Sequence, residues 1–165
     1  MAVPSFLNND VINVENLVSG IEARCFAVFP DGRRFNMGNF ISLEATQDFK
    51  KSKAPILGNP GGGNRKGAPT NKISGKIHYN NSLFRRFAQE YQRMRKDLYF
   101  DMIIVNDDPT STVGTQRVIL HGVNMDSTVI TKFDAESEFL TEDFSATFES
   151  WELDTEFNNT GVREA

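Results

Sequence analysis

The residue types that could carry catalytic or metal chemistry are few in this chain of 165 residues. It has one cysteine, Cys25, and two histidines, His78 and His121. A single cysteine excludes an intrachain disulfide, and its apolar, strand-like surroundings favour a buried and unreactive thiol. Polar residues surround His78 and no second histidine lies nearby, which favours a surface or pore-facing imidazole over a metal ligand.

Two short motifs resemble ligand sites only superficially. The glycine-rich run from Gly58 to Gly67 is not followed by Gly-Lys-Ser or Gly-Lys-Thr, and it lacks the strand-to-helix setting of a phosphate-binding loop. The acids between Asp134 and Glu142 depart from a calcium loop because Phe139 occupies the position where that motif requires glycine. The sequence therefore predicts no enzyme activity, no catalytic residues, no metal site and no cofactor.

Charge is distributed unevenly, although the formal net charge is only −4. The segment from Lys50 to Lys76 contains bases and no acid, whereas acids dominate from Asp126 onward, opposed only by Lys132 and Arg163. Complementary patches favour head-to-tail docking between copies of one chain, while two solvated faces without a partner are the alternative. The apolar content of 39% is typical of a globular protein, and no apolar run approaches the roughly 20 residues of a membrane span.

Alternation of apolar and polar residues predicts most of the elements. Residues 21–29 and 34–49 are predicted strands separated by a Pro-Asp-Gly turn, and residues 72–79 form another strand. Between them, residues 50–71 are predicted to be a long irregular basic loop, because glycine and proline oppose both helix and strand. This loop would join two strands of a long hairpin.

The second half of the chain is predicted to contain one helix followed by more strands. Ser82 is a plausible N-cap for a helix over residues 83–98. Strands are then predicted at 99–105 and 116–123, followed by a second long hairpin formed by residues 127–139 and 142–153. The apolar parity changes after Ser150, which predicts a bulge or a change of sheet there.

These elements predict a single domain over residues 1–165 that is mainly β, a β-sandwich or barrel with one flanking α-helix. An N-terminal arm (1–20) and a polar C-terminal tail (158–165) flank it. Long strands expose edges, and joining the two hairpins across subunits into an inner β-barrel would remove those edges.

The polar faces of the hairpins would then line a mostly acidic lumen that repels DNA phosphates. The predicted lumen-lining residues are Ser42, Glu44, Thr46, Asp48, Lys72, Ser74, Lys76, Lys132, Asp134, Glu136, Glu138, Asp143, Ser145, Thr147 and Glu149. The basic loop would reach a neighbouring ring through Lys50, Lys51, Lys53, Arg65 and Lys66.

Three runs carry a family resemblance. Residues 115–126 (TQRVILHGVNMD), 133–138 (FDAESE) and 144–148 (FSATF) together resemble the tail tube proteins of contractile phages and phage-tail-like particles, and in particular the XkdM-like family of Gram-positive prophage elements. The resemblance is clearest over residues 99–157 and agrees with the order of elements over 21–98. Residues 1–20 and the glycine-rich loop are longer than the family leads us to expect.

This resemblance implies hexameric rings stacked into a hollow tube, with each subunit giving two hairpins to a continuous inner barrel. It also implies a sheath protein, a baseplate or tube initiator, a tape-measure protein and a tail terminator as partners, with DNA only as non-specific passing cargo. The expected location is a phage virion or a phage-tail-like particle assembled in the bacterial host cytoplasm.

Two other classes remain open from the residues alone. The first is a small β-barrel nucleic-acid-binding module that uses the basic loop and the arginine-rich helix. Its aromatic residues, however, fall on the predicted apolar faces, and the overall charge is acidic. The second is a small hydrolase, for which no residue set is assembled.

Overall fold

A computed structural model of the chain describes residues 14–158. The predictions for residues 1–13 of the N-terminal arm and 159–165 of the C-terminal tail lie outside the described residues. What is described of the arm contains two short 3-10 turns, Val14–Asn16 and Gly20–Glu22.

The mainly β prediction is confirmed. The elements, in chain order, are β1 (Ala23–Val28), β2 (Arg34–Asn36), β3 (Phe40–Ile56), β4 (Asn59–His78), α1 (Leu83–Met94), β5 (Phe100–Asp107), β6 (Thr115–Ser127), β7 (Thr141–Thr147) and β8 (Ser150–Thr155). The strands are hydrogen-bonded in the order β2-β1-β5-β6-β7-β4-β3, and β8 pairs with β6. Within residues 14–158, α1 is the one α-helix.

The chain divides into two compact units. Among the described residues, the first comprises 14–38, 101–120 and 151–158, and it contains β1, β2 and nearly all of β8. Its core includes the fully buried Ala27 and Met102, which face each other across β1 and β5. The buried Asp108 accepts hydrogen bonds from the backbone N–H groups of Ser19 (2.8 Å) and Thr110 (2.9 Å).

The second unit comprises residues 39–100 and 121–150, and it contains β3, β4, α1 and β7. Alternate residues of β4 and β7 are buried, including Ile73, Ile77 and Phe144. The buried Phe84 of α1 packs on this layer, with its ring centroid 5.5 Å from that of Phe144 and 6.4 Å from that of Phe100. One face of the sheet is therefore covered by the helix.

The predicted helix is present but shorter than the periodicity indicated. It ends at Met94 because Arg95 adopts a left-handed conformation with φ of 53°. Ser82 occupies the N-cap without a side-chain hydrogen bond, and the Asn81 side chain instead accepts from the Leu83 N–H at 2.7 Å.

The prediction that residues 50–71 form an irregular loop is wrong. β3 and β4 continue through this segment as a paired ribbon and turn only at Leu57 and Gly58. Proline fits at the register shifts: Pro55 lies within one, and Pro69, opposite Phe49, adjoins another. Glycine fits at position 62, where φ is 62° and a Cβ would lie 2.8 Å from the Ala54 carbonyl oxygen.

The prediction of a strand over residues 127–139 is also wrong. β6 ends at Ser127 and β7 begins at Thr141, so the intervening residues are irregular. β4 pairs with β7 over its whole length, whereas β6 pairs only with residues 145–147 on the other edge and leaves the ladder after a register shift between Met125 and Ser127. Within the segment, the Asp134 carboxylate accepts a hydrogen bond from the Glu136 N–H at 3.1 Å, a local turn that competes with a strand ladder.

The break predicted near Ser150 is confirmed. β7 ends at Thr147, and β8 begins at Ser150 and pairs with β6. The single strand predicted over residues 34–49 is divided in two, because the chain turns at residues 38–39 between β2 and β3.

Candidate functional site

The register of β3, β4 and β7 gathers polar side chains on one face of the second unit. Successive side chains of a strand point to opposite faces, so residues that are Cα partners across strands share a face. The rows across the sheet are Ser42–Lys76–Asp143, Glu44–Ser74–Ser145 and Thr46–Lys72–Thr147, with Asp48 opposite Thr70 at one end. Ten of the fifteen predicted lumen-lining residues therefore lie together, on what we call the polar face.

The opposite face of the same strands is apolar. Ile73 and Ala146 are Cα partners, and both are buried. Gly75 is the partner of Phe144, and a Cβ on this glycine would lie 2.5 Å from the Ser42 carbonyl oxygen. Close packing on this side, under α1, leaves the polar face as the accessible one.

The other five predicted lumen residues do not join the polar face. Glu149 follows the end of β7, where its N–H donates to the His121 carbonyl at 3.0 Å. The remaining four are exposed in the irregular segment after β6: Lys132, Asp134, Glu136 and Glu138. Without these acids, the charged residues of the predicted set that lie on the polar face are Glu44, Asp48, Asp143, Lys72 and Lys76, which is close to balanced rather than mostly acidic.

Sequence reasoning missed Asp126, which lies at a register shift at the end of β6. Its carboxylate accepts a hydrogen bond from the Ser145 hydroxyl at 2.9 Å, so it borders the polar face. The signal was available: Asn124 and Asp126 alternate with Val123 and Met125, which extends the strand predicted to end at residue 123.

The five predicted contact bases lie on the outer part of the long hairpin. We call residues 48–70 the outer ribbon, because the pairing with β7 begins only at Lys72. Its side chains are exposed on both faces, apart from the half-buried Gly62 and Gly63. Lys51 stands directly opposite Lys66, and the Lys66 amine lies 4.4 Å from the centroid of the Phe49 ring. Two lysines that face each other repel. The ribbon is an electropositive surface because no acid follows Asp48 within it.

A buried ion pair fixes α1 to the edge of β7. Arg85 donates to the Glu142 carboxylate at 2.5 Å, and its guanidinium lies 4.2 Å from the Tyr79 ring centroid. Burial raises the pKa of Glu142, and the nearby Arg85 and Lys132 oppose this shift. The arrangement has the character of a structural contact within the unit.

Reactive groups are sparse in the part of the chain that the structure describes. Burial raises the pKa of Cys25 to about 12, which keeps this thiol protonated at neutral pH. His78 is exposed at the end of β4. Across residues 14–158, no group of three His, Cys, Asp or Glu side chains is placed to hold a metal ion. No helix among these residues is sufficiently long and apolar to cross a bilayer.

Solved structures with a similar fold come from contractile injection systems. A chain in the cryo-EM structure of the anti-feeding prophage cap superposes with a TM-score of 0.63 at 14% identity, covering 90% of this chain and 98% of that one. A chain in the extended sheath-tube complex of an extracellular contractile injection system gives a TM-score of 0.58 at 13% identity, covering 92% and 99%.

Sequence comparisons identify the family. The phage-like element PBSX protein XkdM of Bacillus subtilis (strain 168) is 30% identical over 149 residues, which cover 90% of this chain and 98% of XkdM. YqbM of the same organism, an uncharacterized protein, matches with the same identity and coverage. A family model described as phage tail tube protein matches residues 10–154. The chain therefore belongs to the phage tail tube protein family, as its resemblance to that family predicted.

Proposed function

We propose that this chain polymerises as stacked hexameric rings into the hollow inner tube of a contractile phage tail or a phage-tail-like bacteriocin. The tube would be the conduit for DNA ejection in the first case and the puncturing tube in the second. The observation that carries this proposal is the polar face, which is built from three adjacent strands and ends at β3, the last strand in the sheet order.

The terminal position of β3 supports joining between subunits. Long edge strands pair with other chains unless they are protected, and closure into a barrel removes the edge. If β3 of one subunit adds to the sheet of the next, the apolar face stays under α1 and the polar face turns inward. The polar face would then line the lumen, and its near-balanced charges would let DNA pass without strong attraction.

The outer ribbon provides the proposed contact between rings. It extends beyond the part of β4 that pairs with β7. Its bases, from Lys50 to Lys66, would meet an acidic surface of a subunit in the next ring. The proposed partners outside the tube are a sheath protein, a baseplate or tube initiator, a tape-measure protein and a tail terminator. Structural neighbours from baseplate, cap and sheath-tube assemblies support the sheath, the baseplate and the terminator in this set. Assembly would take place in the bacterial host cytoplasm.

Negative-stain electron microscopy of the purified protein at high concentration, together with a DNA-binding titration at low salt, tests the function. We expect hollow rings or tubes and no measurable DNA affinity. A persistent monomer that binds DNA with a steep dependence on salt would instead support a nucleic-acid-binding module that uses the outer ribbon and α1.

Thiol labelling tests which surface lines the tube. Thr46→Cys places a thiol on the proposed lumen wall, Arg93→Cys places one on the exposed side of α1, and the buried Cys25 contributes little background. In assembled tubes, we expect a bulky polyethylene glycol maleimide to modify position 93 but not position 46, whereas both react in unassembled protein. Equal labelling of position 46 in the two states would contradict the lumen assignment.

A further inference from the structure

We infer that the outer ribbon of one copy docks on residues 130–139 of a neighbouring copy, which we call the receptor segment. This inference rests on the proposed function and identifies the surface that the ribbon contacts. Four residues of the receptor segment are among the predicted lumen-lining residues: Lys132, Asp134, Glu136 and Glu138. The structure places it outside the sheet, where it is available to another subunit.

The first observation is that no acidic residue balances the positive charge of the ribbon. No acid occurs between Asp48 and Glu90, and the Lys51–Lys66 pairing holds two cations opposite each other. At the tip, Leu57 is fully exposed and Ile56 is half-exposed. A two-stranded basic ribbon with an apolar tip is marginal in water on its own and gains most from a partner that offers carboxylates beside apolar surface.

The second observation is that the receptor segment offers that combination. Phe133 and Phe139 are 89% and 71% exposed, and Ile130 is exposed as well. Three carboxylates lie between the two phenylalanines, all of them exposed: Asp134, Glu136 and Glu138. The one base within the receptor segment, Lys132, directs its amine to the Thr141 carbonyl at 2.7 Å, which limits its opposition to an incoming cation.

The receptor segment is also held in place before any partner arrives. The Tyr79 hydroxyl accepts from the Lys132 N–H at 3.3 Å, and the Tyr79 N–H donates to the Leu140 carbonyl at 3.0 Å. Within the segment, the Ser137 hydroxyl donates to the Phe139 carbonyl at 2.8 Å. A partly preformed surface loses less conformational entropy on binding than a disordered one.

β8 is the competing acidic surface, and it fits less well. It carries Glu152 and Asp154, but the Arg117 guanidinium already lies 3.5 Å from the Asp154 carboxylate. Its apolar residues, Trp151 and Leu153, are also less exposed than the phenylalanines of the receptor segment. Since ribbon and receptor segment are different surfaces of one chain, their contact is head-to-tail and can repeat from ring to ring without closing on itself.

Charge-reversal variants test the inference. The ribbon variant changes Lys50, Lys51 and Lys53 to Glu; the receptor variant changes Asp134, Glu136 and Glu138 to Lys; the matched control changes Glu152, Asp154 and Glu156 to Lys. The concentration needed for polymerisation is measured at low salt by sedimentation and electron microscopy, and circular dichroism confirms that each variant is folded.

We expect the ribbon variant and the receptor variant each to raise the required concentration about tenfold, which corresponds to about 1.4 kcal/mol. Combining the two should restore most of the loss, because the pairing is re-formed with exchanged signs. The β8 control should have little effect, alone or combined with the ribbon variant.

The outcomes separate the inference from the proposed function. If wild-type protein forms no tubes, the proposed function fails. If wild-type protein forms tubes but the combined ribbon and receptor variants assemble no better than either alone, the docking inference is overturned. Rescue of the ribbon variant by the β8 control would also overturn it, because it would place the contact on β8.

Discussion

The inner and outer parts of the long hairpin share two continuous strands but differ in what supports them. In the inner part, residues 40–47 with 71–78, β4 is hydrogen-bonded to β7 and buries Ile73 and Ile77 on one face, where Phe84 of α1 packs on Phe144 of β7. The outer ribbon has the same antiparallel pairing, yet its faces are exposed. Backbone pairing alone therefore does not distinguish a strand that is part of the core from one that is exposed on both faces.

This difference predicts that substitutions in the two parts of the hairpin have different consequences. A hydrophobic layer stabilises the inner part in the single chain, whereas the side chains of the outer ribbon are exposed. Substitutions in the inner part should lower the free energy of unfolding, and substitutions in the outer ribbon should chiefly affect polymerisation.

The largest expected effect is that of Phe144→Ala. This side chain is 2% exposed, and its ring contacts those of Phe40 and Phe84. Its removal should lower the free energy of unfolding by about 3–5 kcal/mol. Urea unfolding of the unassembled chain, followed by circular dichroism, measures the change.

The matched outer substitution is Leu57→Ala, which removes a fully exposed side chain at the ribbon tip. It should leave the free energy of unfolding unchanged within about 0.5 kcal/mol. A decrease in the free energy of unfolding similar to that of Phe144→Ala would show that the ribbon tip is packed in the single chain. It would contradict the proposed difference between the inner part and the outer ribbon.

A paired glycine substitution gives the next largest effect. A Cβ would lie 2.5 Å from a backbone oxygen at Gly75 in the inner part and 2.9 Å from one at Gly67 in the outer ribbon. Gly75→Ala should cost about 1–3 kcal/mol, because Gly75 is paired with Leu43 of β3 on one side and with Phe144 of β7 on the other, which prevents the backbone from moving away. Gly67→Ala should cost much less, since the unsupported strands can separate slightly. Thermal unfolding of both variants below the polymerisation concentration provides the comparison, and equal losses would contradict it.

The same contrast explains what could be predicted from the sequence. Alternation identified the polar residues from Ser42 to Asp48 and the apolar residues behind them, because one-sided burial imposes a period of two. It failed over residues 50–71, since a ribbon exposed on both faces needs no such pattern and tolerates glycine and proline. It also failed over residues 127–139, where the alternation was present but β6 leaves β7 after a register shift, having paired only with residues 145–147. This segment is held instead by a local turn at Asp134 and by a hydrogen bond to Tyr79, a contact distant in sequence that a local pattern does not contain.

The smallest expected effect concerns the pH dependence of stability at the border of the inner part, where Glu142 is the Cα partner of Ile77. Burial raises the folded-state pKa of Glu142 above the ordinary value of 4.5, so the folded chain holds this proton to higher pH than the unfolded chain does. The contribution of Glu142 to stability should therefore be greatest below pH 4.5 and should be lost as the pH rises through the folded-state pKa. Glu142→Gln cannot ionise and should flatten this part of the profile, while leaving Arg85 without its ionic partner at every pH. Urea unfolding measured between pH 4 and 7 tests the change in slope, with Leu57→Ala as the control that should keep the wild-type slope. An unchanged slope in Glu142→Gln would mean that water reaches this carboxylate, and the inner part would then be less completely closed than its packing indicates.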